Sequence, residues 1–190
     1  ILDPLDGTKD FIQGTGNYAM HLALNYKNRP YLGIVLIPEK NELWISNGKN
    51  LRCEKSDGYT YQVLERPRNK TINEMTFVCS KNHRNKILER IVEKMNFKKV
   101  NIMGSIGCKI ASIIRGDSDI YISLSLPGQS APKDWDFAAP EAILRAAGGA
   151  ITYLNNEDLI YNQNKFEQRG VIIATNNRDT HAIKCSQVKE

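Results

Sequence analysis

A chain of 190 residues, 41% hydrophobic and 25% charged, has the composition of one large globular domain or two small lobes. No apolar run approaches the ~18 residues of a membrane span, and the four cysteines show neither C-x-x-C metal spacing nor the density of a disulfide scaffold. The net charge of +5 suits an anionic ligand, but no basic stripe is interleaved with aromatics, which argues against a nucleic-acid polymer as partner. Cys53, Cys79, Cys108 and Cys185 therefore read as reduced thiols of a cytoplasmic protein, with Cys79 and Cys108 packed inside.

Taken in chain order, Tyr18 to Leu24 is apolar and predicts a strand. Asn28-Arg29-Pro30 is a turn signal, and Tyr31 to Ile37 predicts a second strand. Pro38 to Asn41 turns again before Leu43 to Ile45. Asn47-Gly48 is a hairpin dipeptide, because both residues tolerate positive φ, and Leu51 to Cys53 returns beside it. The result is an antiparallel meander. The polar stretch Glu65 to Asn73, containing Pro67, is the expected boundary between a β lobe over 1–70 and a mixed α/β lobe over 71–190.

The pattern then changes. Thr76 to Cys79 is a short strand. From Arg84 to Met95, residues Ile87, Leu88, Ile91, Val92 and Met95 share one helix face. Lys99 to Met103 predicts a strand, Gly107 to Arg115 a helix closed by Gly116, and Ile120 to Ile122 another strand. Asp136 to Ala147 predicts a helix ended by Gly148-Gly149. Ala150 to Tyr153 and Val171 to Ala174 are strands, and Thr180 to Val188 is a last helix.

Two short segments concentrate chemistry. Asp3-Pro4-Leu5-Asp6-Gly7-Thr8 packs two carboxylates, a fixed proline φ, a permissive glycine and a hydroxyl into six residues. Such a turn can bring both carboxylates to one side for a hard cation, while the Gly7 and Thr8 amides and the Thr8 hydroxyl donate to phosphate oxygens. A plain Asx turn is the alternative reading. Downstream, Trp135-Asp136-Phe137-Ala138-Ala139 sets an acid at a helix start. An acid there is also favoured by the helix dipole, by ~0.3–1 kcal/mol, a capping role that Asp134 fits as well. One of the two is then free for chemistry.

D-P-L-D-G-T followed by W-D-x-A-A resembles the inositol monophosphatase superfamily of magnesium-dependent, lithium-sensitive phosphatases. Gly104-Ser105-Ile106-Gly107 is similar to its G-S-x-G segment, and Ala147-Gly148-Gly149 to its A-G-G. Ser80-Lys81-Asn82-His83 resembles the S-[RK]-x-H of the CysQ-like 3′(2′),5′-bisphosphate nucleotidases, and Lys109 matches that branch's lysine with a one-residue difference in spacing. The resemblance implies an α/β/α/β/α layered sandwich. It implies a site in which Asp3, Asp6, Asp136 and the Leu5 carbonyl hold two or more Mg²⁺ ions, with Mn²⁺ or Ca²⁺ as substitutes in binding. Thr8 joins Asp3, Asp6 and Asp136 as catalytic. Gly7, Thr8, Ser80, His83, Ser105 and Lys109 are the expected contacts of a small phosphorylated substrate. His83, Lys109 and Lys133 could meet a second phosphate, with a solvated surface residue the alternative reading of each.

In this family a helical segment precedes D-P-L-D-G-T and carries a glutamate ligand and further acids; here the motif stands at the start. The expectation is a fragment lacking one helical layer, impaired in catalysis, and pairing as a homodimer through the uncovered sheet face. The implied activity is hydrolysis of adenosine 3′,5′-bisphosphate to AMP and phosphate by metal-activated water. An inositol-phosphate or sugar-phosphate phosphatase, or an inactive metal-binding or oligomerisation module, are the alternatives.

Overall fold

The computed structural model describes residues 1–58, 60–61, 69–80 and 86–188. The first sheet is an antiparallel meander of β1 (Leu2–Asp6), β2 (Ala19–Tyr26), β3 (Arg29–Ile37), β4 (Glu42–Asn47), β5 (Leu51–Lys55) and β6 (Thr60–Tyr61), adjacent in chain order. β1 and a five-residue helix after it, α1 (Thr8–Ile12), have no counterpart in the predicted elements. A strand with proline at its centre contradicts propensity. It is tolerated because β1 is an edge strand and is bulged: Asp3 pairs with His21 but Asp6 with Ala19.

The hairpin between β2 and β3 turns at Lys27-Asn28, with φ of 50° and 57°, not at Asn28-Arg29-Pro30. Two successive positive φ values make a primed turn, and Arg29 and Pro30 are already paired to β2. Asn47-Gly48 opens a longer connection, closed by the Asn47 N–H donating to the Asn50 carbonyl at 3.2 Å. The first part of the expected boundary at Glu65 to Asn73, residues 65–68, lies outside the described residues.

The second sheet has the order β10 (Ala150–Tyr153), β11 (Gly170–Thr175), β9 (Ile120–Ser125), β7 (Thr76–Cys79), β8 (Lys99–Ile102). β7 runs parallel to β8 and β9, while β10 and β11 are antiparallel. The helices are α2 (Lys86–Met95), α3 (Ile106–Arg115), α4 (Asp134–Ala146) and α5 (Arg178–Gln187). α2 buries Leu88 and Ile91 but leaves Ile87 37% exposed, so the apolar face is narrower than its sequence suggests.

α3 and α4 are the middle layer. One core cluster joins Val35 and Trp44 of the first sheet, Ile110 and Ile113 of α3, Phe137 and Ile143 of α4, and Tyr121 and Ile172 of the second sheet. A second cluster packs Leu88 and Ile91 of α2 and Cys185 of α5 on Phe77, Ile122 and Ile173, beyond the second sheet. The layers are therefore sheet, helices, sheet, helices, a mixed α/β sandwich. On the outward face of the first sheet Leu22, Leu24 and Tyr31 are 41%, 58% and 54% exposed. Both strands thus alternate in burial, rather than being buried on both faces.

Two features lock the middle layer to the first sheet. Glu141 of α4, 2% exposed, accepts from Tyr161 Oη at 2.6 Å, Arg145 Nη1 at 3.0 Å and Arg29 Nη2 at 3.1 Å. Gly33 of β3 lies so close to α4 that a Cβ would stand 2.6 Å from Ala142 Cβ and 2.7 Å from the Ala139 carbonyl oxygen. Gly33→Ala should therefore overpack this contact at a cost of about 1–3 kcal/mol. The thermal midpoint should fall by about 2–12 °C; a midpoint within about 1 °C of the parent would show that the contact is slack.

Candidate active site

The bulge at Pro4-Leu5 decides the geometry of the first motif. In a regular strand residues three apart face opposite sides; one extra residue restores the same side. Asp3 and Asp6 accordingly converge, and one carboxylate oxygen each of Asp3, Asp6 and Asp136 lie within 4.8 Å of one another. The Leu5 N–H donates to Asp3 Oδ1 at 3.0 Å, and Thr8 Oγ1 donates to the Leu5 carbonyl at 3.1 Å. The Thr8 proton is therefore committed to the motif itself rather than free for a phosphate. Gly7, at φ 85°, lets the chain leave β1 sharply; a Cβ there would lie 2.8 Å from the Asn17 carbonyl oxygen.

Asp6 meets the start of α3. Its Oδ2 accepts from Ser105 Oγ at 2.6 Å, the Ile106 N–H at 2.5 Å and the Gly107 N–H at 3.4 Å. These are the donors a helix start leaves unpaired, and the dipole favours an anion among them. Ser105 holds this arrangement from φ 46°, ψ 133°, a region seldom occupied by residues other than glycine. Ser105, expected to touch substrate, has its hydroxyl on Asp6.

Asp136 sits in the first turn of α4. Its Oδ2 accepts from the Lys133 N–H at 2.5 Å, so Asp136 itself reaches back to cap the start of the helix. The capping role expected of Asp134 is corrected. Asp134 is buried and accepts from the Asn162 N–H at 2.6 Å and Gln168 Nε2 at 2.7 Å, tying α4 to the chain beyond it. Lys133 points its ammonium at Glu167, 3.0 Å away, and so is not a free cation for a second phosphate. Pro140 lies inside α4 and has no N–H to return to the Asp136 carbonyl, so the ladder lacks a rung beneath the site.

A cleft of about 500 Å³ opens beside this cluster. Asp6, Gly7, Thr8, Ser105, Lys109 and Asp136 line it, as does Ser80 from the end of β7. Lys81 and His83 lie outside the described residues. Lys109 is 2% exposed; its Nζ donates to the Ser105 carbonyl at 2.9 Å and lies 5.6 Å from the centre of the Tyr121 ring. Burial pulls its pKa down, while Asp6 pushes it up. Burial first, and then the charges of Asp6 and Asp3, push the Asp136 carboxyl up to about 7. Asp3 is raised mainly by burial and also by Asp6.

Sequence reasoning missed His21, which is 1% exposed with Nε2 3.4 Å from Asp6 Oδ2. Its signal was parity: Ala19, His21 and Ala23 share the inward face of β2, and a polar residue between two alanines faces a partner that requires the room. Tyr121, Ser123 and Gln129 of the cleft wall carried no signal of their own.

A family profile described as the inositol monophosphatase family matches residues 1–190. The chain belongs to that family. It is 29% identical over 191 residues to 3′(2′),5′-bisphosphate nucleotidase 1 of Mus musculus, covering 95% of this chain and 58% of the mouse protein. It is 30% identical over 165 residues to the 3′(2′),5′-bisphosphate nucleotidase CysQ of Buchnera aphidicola subsp. Acyrthosiphon pisum, covering 85% of this chain and 57% of that one. The chain thus spans less than two thirds of these curated relatives. Among solved structures, CysQ from Bacteroides thetaiotaomicron superposes with a TM-score of 0.75 at 26% identity, covering 94% of this chain and 70% of that one. An inositol monophosphatase from Zymomonas mobilis superposes with a TM-score of 0.77 at 23% identity, covering 99% and 69%, a likeness of fold.

All oxygen donors, with like charges crowded together and one carboxyl raised to about 7, make a set that suits a hard divalent cation. The raised pKa also has a cost. Asp136 holds its proton in the folded chain above the pH at which it would lose it unfolded, near 3.8. Its favourable contribution is complete below pH 3.8 and is lost as pH rises through about 7. In chelator, Asp136→Asn should therefore match the parent at pH 4 and exceed it by a few kcal/mol, on the order of the shift, at pH 8. Denaturant melts at both pH values check this; a parent more stable than the variant at pH 8 would contradict it.

Proposed function

We propose that this chain carries the site of a Mg²⁺-dependent phosphomonoester hydrolase, a 3′(2′),5′-bisphosphate nucleotidase that converts adenosine 3′,5′-bisphosphate to AMP and phosphate. The observation that carries the reading is the convergence of Asp3, Asp6 and Asp136 at the edge of a cleft of about 500 Å³. These three carboxylates, with the Leu5 carbonyl, would hold the ions; a carbonyl has two lone pairs, and Thr8 takes one. Bound there, divalent cations supply Lewis-acid stabilisation of phosphoryl charge and acidify water toward neutrality.

The chain's own residues do the rest. Asp136, its carboxyl raised to about 7, would serve as a cation ligand in its deprotonated form. Gly7 leaves the backbone bare where a phosphate approaches, and Thr8 and Ser105 line the same wall. Lys109 supplies positive charge from within the cleft wall. The nucleotidase branch is supported by the names of the relatives at 29–30% identity and by Ser80 to His83. The division into lobes over 1–70 and 71–190 places one motif on each. Four buried cysteines that form no disulfide fit the reducing cytoplasm. No helix among the described residues is long and apolar enough to cross a membrane. The exposed Leu22, Leu24 and Tyr31 favour a homodimer, which light scattering tests.

Phosphate release decides the reading. In the whole protein that carries this chain, activity should vanish in EDTA and return with Mg²⁺, and kcat/KM should favour adenosine 3′,5′-bisphosphate over inositol 1-phosphate. Metal-independent turnover would end the phosphatase reading, and preference for the inositol ester would end the nucleotidase label alone. Asp136→Asn should cost more than the ~10–100-fold typical of outer-shell partners of a metal. Lys109→Ala should harm the bisphosphate more than a monophosphate; equal losses would remove Lys109 from recognition of the second phosphate.

A further inference from the structure

We propose that His21 is a positioning residue of the carboxylate cluster, linking Asp6 to the first turn of α4 and thereby setting the affinity for the cation. The inference rests on the metal-site reading above. His21 stands directly opposite Asp3 in the β1–β2 pairing. Its Nε2 is 3.4 Å from Asp6 Oδ2, and its Nδ1 is 3.3 Å from the carbonyl oxygen of Trp135, the residue before Asp136. One ring thus borders the elements that carry all three carboxylates.

The surroundings are built for a ring rather than for any apolar filler. Ala19 and Ala23 flank it on the inward face of β2, and a Cβ on Gly107 would collide with Nε2. Both polar atoms beside the ring are acceptors, so an aliphatic side chain would leave them facing hydrocarbon. Nε2 is buried and makes no hydrogen bond, so its 3.4 Å approach to Asp6 Oδ2 is a close contact that a small movement of the ring would turn into a bond. Asp6 Oδ2 is already held on one side by α3 and Ser105, and His21 closes a further side. Oδ1 has no hydrogen bond among the described residues, and it is the oxygen left for a cation.

The test is Mg²⁺ titration of the chain by calorimetry at one pH, with thermal melts in EDTA alongside. His21→Leu should weaken Mg²⁺ binding by about 10- to 100-fold, the range for outer-shell partners. His21→Gln sets an amide nitrogen near the place of Nε2 and should recover most of the loss, whatever either change does to the melt. A second measurement uses the parent: Mg²⁺ should move the ¹⁵N resonance of His21 Nε2 and leave that of His181, held between Thr152 and Thr175, in place. No Mg²⁺ binding by the parent overturns the metal reading and the inference together. Binding that survives unchanged in His21→Leu, or falls equally in Leu and Gln variants, overturns the role of His21 alone. If His21→Leu does not fold, an Nε2 resonance unmoved by bound Mg²⁺ overturns it.

Discussion

Three carboxylates crowded within 4.8 Å repel one another, and the structure around them is arranged to hold them there. Two unit charges ~4 Å apart interact by about 4 kcal/mol at an effective dielectric near 20. The answer is a set of backbone donors. Asp6 receives the first N–H groups of α3, Asp136 receives the Lys133 N–H at the start of α4, and Asp3 receives the N–H of Leu5. Both middle-layer helices must therefore begin at one place, at the edge of the first sheet where β1 bulges. The glycines follow from the same demand: Gly7 turns away from β1 against Ser105, and Gly107 leaves room for His21.

The carboxylates and the helices that meet them were legible because their chemistry sits in short, rigid segments. D-P-L-D-G-T and W-D-x-A-A could be paired without knowing how the chain brings them together. What was not legible is the local structure of the first motif. Asp and Pro are poor strand formers, and β1 exists only because β2 offers hydrogen bonds to an edge that can absorb a bulge. Tertiary pairing overrode propensity. The same rule moved the β2–β3 turn: Pro30 looked like a turn residue but is tolerated beside an irregularity in the pairing at Leu24/Asn25.

Side-chain partners from distant segments were the other blind spot. Asp134 and Asp136 are equivalent on paper as helix-start acids. Gln168 and the Asn162 amide claim the first, and Lys133 and the carboxylate cluster claim the second. Lys133 looked free because Glu167, its partner, lies far along the chain. Lys109 was expected as a cation reaching a second phosphate, yet it is packed in the wall of the cleft with its ammonium on the Ser105 carbonyl. Burial of a polar residue can be suspected from parity, as at His21, but its partner depends on register, and register depends on the bulge.

α4 shows that the exposure of Asp136 to like charge is not a failure of the fold to neutralise acids. The helix buries a second acid, Glu141, less than two turns on. There the fold supplies two guanidinium groups and a phenol, so a carboxylate that burial alone would push toward neutrality is matched on both oxygens. At Asp136 the start of the same helix supplies one backbone N–H, and the charges of Asp6 and Asp3 act against it with Lys109 the weaker cationic counterweight. Arginines are available, since α4 itself carries Arg145 and β3 carries Arg29, and both are directed to Glu141. Like-charge crowding at one acid, beside two guanidinium partners at its neighbour, is the pattern of a site that keeps its charge for something not part of the chain. A divalent ion is the simplest group that would reverse the cost, because it meets all three carboxylates together where an arginine would satisfy only one.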